Sequence, residues 1–333
     1  MQSGLVQKLL SQNGPLGFEP LRHAVAEHLR TARAVNCTSG EVVITGGAQQ
    51  GLDLISRIML NTGDQVWMDE PGYLGARDAF SASGAKVLSA PRDADGFDLN
   101  FATKKYGTAK VIYTTPSHQF PVGGSMSINR RLEMIEWAET HDAWIIEDDY
   151  DSEFRYSGRP LASMQGLDRN GRVIYLGTFS KTIFSALRLG CVVVPPDMVS
   201  LFETARLITD GHSPLFEQAI LAEFISGGHF SRHVRRMRKL YSERQEILLH
   251  AAEKYLKGKI EMEPASSGMH LIGWLPHGVS DTAFSTAAAK RGVRLAPLSD
   301  YAAKPLKRPG LLFGYAGFSA KQILSAMKLL ADI

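Results

Sequence analysis

Seven short runs rich in β-branched residues, with helical patterns between several of them, constrain this sequence more than any other feature. The runs are Val42–Thr45, Gln65–Met68, Lys86–Ser89, Lys110–Thr114, Ala143–Glu147, Arg172–Leu176 and Cys191–Val194. Ala48–Leu60 and Ile128–His141 are the clearest helical segments between them. Such alternation is the signature of an α/β fold, a mostly parallel sheet covered by helices on both faces. The connection from Leu176 to Cys191 is short, so Cys191–Val194 is expected to pair antiparallel.

The pattern changes after about Pro196. A long helical stretch from Phe216 to Lys257 precedes strand candidates at Met269–Trp274, Val293–Ala296 and Leu311–Tyr315, and a closing helix at Ala320–Leu330. Residues 1–215 therefore read as a large domain, and 216–333 as an interdomain helix with a smaller α+β domain. A chain of 333 residues suits that division. Its net charge of +3 is too small to argue for nucleic acid or an anionic membrane as partner. The basic run Arg232–Lys239 is either a DNA-contacting face or a solvated or interdomain helix face, and it is read as the second. Cys37 and Cys191 make neither a disulfide framework nor a zinc pattern, which points to a reducing cytoplasm. With no basic-then-apolar leader at Met1 and no long apolar run, neither export nor membrane spanning is expected.

Four motifs carry chemistry. Gly177-Thr178-Phe179-Ser180-Lys181-Thr182 follows a strand, and Arg188 comes seven residues after the lysine. A lysine there can hold an aldehyde cofactor while the hydroxyls and the arginine hold its phosphate; otherwise it is a surface lysine in a Ser/Thr-rich loop. The strand Ala143–Ile146 ends in Glu147-Asp148-Asp149-Tyr150-Asp151, at the carboxyl end where open α/β sheets bind ligands. A carboxylate there can pair with a protonated pyridine nitrogen, or the segment is a metal-binding or solvated acidic turn. Gly46-Gly47-Ala48-Gln49-Gln50 joins a strand to a helix whose free N–H groups can bind phosphate, yet fits neither a Walker A loop nor G-x-G-x-x-G. Asp69-Glu70-Pro71-Gly72-Tyr73 offers an aromatic face, with Arg77 one helical turn further on.

Together with Pro116-Ser117-His118-Gln119-Phe120-Pro121, Ser152-Glu153-Phe154 and Arg236-Met237-Arg238 with Tyr241, these motifs resemble fold type I pyridoxal-phosphate enzymes, the aspartate aminotransferase superfamily. The likeness is closer still to the aminotransferase-like domain of MocR-type regulators. The resemblance implies a seven-stranded, mostly parallel sheet and pyridoxal 5′-phosphate as cofactor. Lys181 would form the Schiff base and shuttle the proton. Asp148, rather than Asp149 on the other face, would pair with the pyridine nitrogen. Tyr150 would hydrogen-bond the phenolic oxygen and Tyr73 would stack on the ring. Gly47, Ala48, Gln49, Thr178, Ser180 and Arg188 would form the phosphate cup, and His118 would lie near the ring or serve as a structural histidine. Residues 1–35 would pack with the small domain, and the protein would be a homodimer.

Ordinary members carry a carboxylate-binding arginine on a late strand, where Leu312 stands in Leu311–Ala316. Arg294 and Arg77 are the candidates to replace it. The regulators also carry a winged helix-turn-helix ahead of this domain, which this chain is expected to lack. An aromatic that reaches a neighbour's phosphate is replaced by Ser11-Gln12-Asn13. Three readings follow: transamination of an amino acid or amine; an effector-sensing domain that forms an external aldimine without turnover; or another reaction on the same cofactor, such as β-elimination or decarboxylation.

Overall fold

Each β-branched run forms a strand: β1 (Val42–Thr45), β2 (Gln65–Asp69), β3 (Lys86–Ala90), β4 (Val111–Thr114), β5 (Trp144–Asp149), β6 (Val173–Thr178) and β7 (Gly190–Val193). A computed structural model describes residues 14–158 and 161–333, so the Ser11-Gln12-Asn13 segment and the chain start lie outside the described residues. The strands make one seven-stranded sheet in the order β1-β7-β6-β5-β4-β2-β3. β2, β3, β4, β5 and β6 run parallel to one another, and β7 is antiparallel to both β1 and β6, as the short connection before it required.

The pleat distributes side chains to two cores. On one face Val43, Tyr113, Ile146, Leu176 and Val192 pack with α2 (Ala48–Met59), α3 (Leu74–Ala82) and α7 (Val199–Thr209). On the other, Trp67, Ile112, Ile145 and Val173 pack under α4 (Leu99–Tyr106), α5 (Ile128–Thr140) and the short α6 (Met164–Leu167). Beside them Ile44, Tyr175 and Val193 meet α1 (Glu19–Arg33) and α8 (Leu215–Ser226). Residues 1–35 were expected beside the small domain, and α1 is the described helix within them. Its apolar stripe, Leu21, Val25 and Leu29, instead closes the large sheet, and α8 joins it there although it lies past the expected boundary.

The long helix expected from Phe216 to Lys257 is two helices, α8 and α9 (His229–Tyr255). Gly227 caps the first and Gly228, at φ 71°, takes a left-handed turn that side-chain-bearing residues rarely adopt. α9 leads to a four-stranded sheet, β8 (Glu261–Met262), β9 (His270–Trp274), β10 (Ala296–Pro297) and β11 (Gly310–Gly314), in the order β8-β9-β11-β10. It is backed by α10 (Asp281–Lys290) and α11 (Ala320–Leu330). Two backbone clasps tie this domain to the large one. Gly268 N–H donates to the Phe154 carbonyl at 3.0 Å, and Gly72 N–H to that of Tyr301 at 3.0 Å. Among the described residues no helix is long and apolar enough to cross a membrane.

Arg33, the last residue of α1, anchors the end of β5. Its Nε donates to Asp149 Oδ2 at 2.6 Å, Nη1 to the Leu161 carbonyl at 2.8 Å and Nη2 to Ser117 Oγ at 2.5 Å. Burial works most strongly against the guanidinium charge, but Asp149, Tyr175 and Glu147 together outweigh it and hold Arg33 above its usual pKa. Arg33→Met leaves Asp149 buried without its cation. Urea unfolding is expected to show a loss of about 3–5 kcal/mol.

Candidate active site

The carboxyl ends of β1, β5 and β6 converge on one cleft, and the pleat decides which acid of β5 faces it. Asp148 lies on the same face as Ile146 and accepts a hydrogen bond from the Tyr113 hydroxyl at 2.7 Å. Asp149 points through the opposite face to Arg33 and to the Tyr175 hydroxyl at 2.9 Å. Asp148 is 4% exposed, and its Oδ1 has no partner among the described residues. Burial pushes its carboxyl up to about 7; the Tyr113 hydrogen bond and the Lys181 charge oppose the shift, while Asp149 and Asp151 add to it.

Around this carboxylate stand the residues singled out in the sequence. Lys181 is exposed in the loop after β6, within electrostatic reach of Asp148 and His270. Gly47, at φ 95°, caps the start of α2, and a side chain added there would meet the Arg188 guanidinium at 3.5 Å. A guanidinium beside the positive end of a helix is unfavourable unless an anion sits between them. Ala48 and Gln49 form the first turn of α2, and Gln49 Nε2 donates to the Gly75 carbonyl at 2.8 Å. The Tyr73 hydroxyl donates to Gln49 Oε1 at 3.3 Å, and the Tyr73 ring meets Phe120 edge-on at 5.9 Å. Thr178 Oγ1 accepts from the Ser180 N–H at 3.2 Å, and the buried Ser180 hydroxyl has no partner among the described residues. An unpaired carboxylate oxygen, an unpaired hydroxyl and a cation facing a helix start suit a group that is basic at one end and carries phosphate at the other.

Tyr150 and His118 are brought together: the Tyr150 hydroxyl lies 2.9 Å from His118 Nδ1, which lies 2.8 Å from Asp151 Oδ2. The two arginine candidates differ. Arg77 is ion-paired with Glu70 at 3.3 Å. The same Glu70 accepts from the Ala303 N–H at 2.5 Å, so the pair helps hold the small domain. Arg294 is exposed before β10, with no hydrogen bond or ion pair to another described residue. Leu312 is half-buried in β11 opposite Ile272 and Ala296. Tyr113, Arg33, Asp151 and His270 were not singled out. Tyr113 was visible only as a polar-tipped residue in an apolar strand run, and Arg33 carried no local signal.

The fold and the cleft define a doubly wound α/β protein with its candidate site at the carboxyl ends of the central strands. More particularly, the chain belongs to the aminotransferase class I and II family, whose model matches residues 8–327. It is 41% identical over 307 residues to the probable rhizopine catabolism regulatory protein MocR of Rhizobium meliloti, covering 92% of this chain and 62% of that protein. It is 30% identical over 323 residues to aromatic-amino-acid aminotransferase 1 of Thermococcus litoralis, covering 95% and 78%. The kynurenine aminotransferase of Pyrococcus horikoshii, solved in complex with PMP, KYN and KYA, matches with a TM-score of 0.91 at 30% identity, over 99% of this chain and 83% of that one. The chain thus has the fold type I architecture expected from its motifs, and its relatives include both MocR-type regulators and aminotransferases. It spans less than two thirds of the length of the regulator named here.

The raised Asp148 carboxyl has a consequence for stability. Its folded-state pKa of about 7 exceeds the ordinary value of 3.8, so the stability it contributes is full below about 4 and is lost as pH rises towards 7. Asp69, pushed up to about 6 by burial, acts in the same direction. Asp148→Asn is therefore expected to flatten part of the fall in stability of the cofactor-free protein and to be the more stable form at pH 8. Thermal unfolding against pH measures this.

Proposed function

We propose that the chain binds pyridoxal 5′-phosphate covalently through Lys181 and moves the amino group of an amino acid or amine onto it. The observation that carries this reading is Asp148: a buried carboxylate with one oxygen unpaired, at a strand end beside the lysine. Asp148 would pair with a proton on the ring nitrogen, and the positive charge so placed would relieve its own burial. The cofactor, when bound, supplies an electron sink for the pair of electrons left when the substrate Cα–H bond breaks. Lys181 Nζ would take the proton from the substrate Cα and carry it during the transfer. The amides of Gly47, Ala48 and Gln49, the hydroxyls of Thr178 and Ser180, and Arg188 bind the phosphate. Tyr73 would cover the ring and Tyr150 would hydrogen-bond its phenolic oxygen.

For the substrate carboxylate, Arg294 stands ahead of Arg77, because Arg77 is already engaged by Glu70. A homodimer is supported by large exposed apolar side chains, Phe184 near Lys181, Ile208 on α7 at 81% exposure, and Phe216 on α8. Two buried, unpaired cysteines support a reducing, cytoplasmic setting.

A second reading, an effector-sensing domain, is favoured by the MocR relative and by Leu312 at the usual arginine position. Single-turnover mixing of the loaded protein with a panel of amino acids and amines separates the two. Formation of the pyridoxamine form supports transamination, whereas a spectral change that persists without it supports sensing.

The loaded protein is expected to be yellow, with an adduct trapped by borohydride that Lys181→Ala abolishes. A colourless protein after reconstitution overturns the proposal. Arg188→Ala is expected to weaken retention of the cofactor roughly 10–100-fold, the worth of one hydrogen bond to a charged group, as read by equilibrium titration.

A further inference from the structure

The hydrogen bonds behind Tyr150 fix more than its position. His118 is 2% and Asp151 1% exposed, so neither exchanges its partners for water. An ionised carboxylate only accepts, so the proton of His118 belongs on Nδ1, 2.8 Å from Asp151 Oδ2. Tyr150, 2.9 Å from the same nitrogen, then meets an N–H rather than a lone pair. Its oxygen accepts, and its own proton is left to point away from His118. The rings of His118 and Tyr150 stack at 5.8 Å and 29°, and Phe120 closes edge-on against Tyr150 at 5.9 Å.

The small domain seals the other side of His118. Gly268, at φ 104°, lies so close that an added Cβ would overlap the imidazole. Its carbonyl accepts from the Tyr315 hydroxyl at 2.8 Å and from the Tyr156 hydroxyl. His270 of β9 tilts over the ring at 5.2 Å while its Nε2 donates to the Pro121 carbonyl at 2.8 Å. The other charged groups in reach of Tyr150 are Asp148, Asp149 and Arg92, and Lys181 acts on His270.

We propose that Asp151 and His118 are positioning residues that commit the Tyr150 hydroxyl to donate outward, to the phenolic oxygen of the pyridoxal ring, and that contact with Gly268 ties this setting to the seating of the small domain. The inference rests on the cofactor reading given above. A donor at the phenolic oxygen withdraws negative charge that otherwise stabilises a proton on the nitrogen joining Lys181 to the cofactor. The relay therefore lowers the pKa of that link, and freeing His118 from its tautomer raises it.

The test loads wild type, Asp151→Asn, His118→Asn, Gly268→Ala, Tyr150→Phe and the Asp151→Asn/Tyr150→Phe double variant with pyridoxal phosphate, and titrates visible absorbance against pH. Asp151→Asn and Gly268→Ala are expected to raise the pKa of the link by about one unit, the worth of one hydrogen bond. His118→Asn, which keeps a donor near the Nδ1 position, is expected to titrate like wild type. The double variant is expected to shift no further than Tyr150→Phe alone, because the relay acts only through that hydroxyl. An unchanged titration in Asp151→Asn, or a further shift in the double variant, overturns the proposal. The ¹⁵N NMR shifts of His118 in the wild-type protein report its tautomer without any substitution, and a proton on Nε2 overturns it equally. Failure of wild type to take up the cofactor counts against the cofactor reading instead, and leaves the tautomer measurement standing.

Discussion

At the end of β5 two adjacent carboxylates are buried on opposite faces of one sheet, and the protein neutralises only one of them. Asp149 is met by Arg33, which also holds Ser117 and the Leu161 carbonyl, so α1, β5 and the segments after β4 and before α6 share one fastening. Asp148 receives a single hydroxyl from Tyr113. Burying a carboxylate with that little compensation opposes folding, and nothing in the packing of β5 requires an acid on that face. A cation supplied from outside the chain, as the proposed cofactor would supply, would offset that cost. The lone guanidinium of Arg188 beside the start of α2 makes the complementary argument for an anion.

Much of this was legible because the deciding signals are local. The alternation of short apolar runs and helical patterns fixed the sheet, and the period of two along Ala143–Asp149 separated Asp148 from Asp149. The glycines before α2 and the hydroxyls around Lys181 lie within a few residues of the groups they serve. Arg33 and Asp149 are 116 positions apart, and no local pattern pairs them. The placement of α1 was obscured for a related reason, since its stripe of Leu21, Val25 and Leu29 fits any apolar surface and only the assembled fold selects the large sheet. The break in the long helix falls at Gly227-Gly228, between apolar residues on either side that fit one continuous helix.

The two clasps between the domains meet the site from different sides. Glu70 and Gly72 hold the Tyr301–Lys304 segment, and Phe154 and Tyr156 hold Ser266 and Gly268. The first clasp begins one residue from Tyr73, and the second presses on His118. A displacement of the small domain would therefore be felt at Tyr73 and at the partner of Tyr150. That arrangement serves an enzyme that closes on its substrate and a sensor that reports its ligand equally well.

What separates those uses is where the binding energy of the ligand goes. A bidentate arginine on β11 would grip a substrate carboxylate from the small domain and convert that grip into orientation at Cα. Leu312 removes the grip from the strand, while Arg294 stands outside β10 and the engaged Arg77 lies across the cleft on α3. A carboxylate drawn to Arg294 pulls on an exposed segment of the small domain; one drawn to Arg77 competes with Glu70 and loosens a domain clasp. Both couple ligand binding to domain position more directly than a strand arginine would. The proposed cofactor site is thus compatible with turnover or signalling, and the position of one cation relative to the domain clasps would decide how much of the ligand's energy reaches the reacting bond.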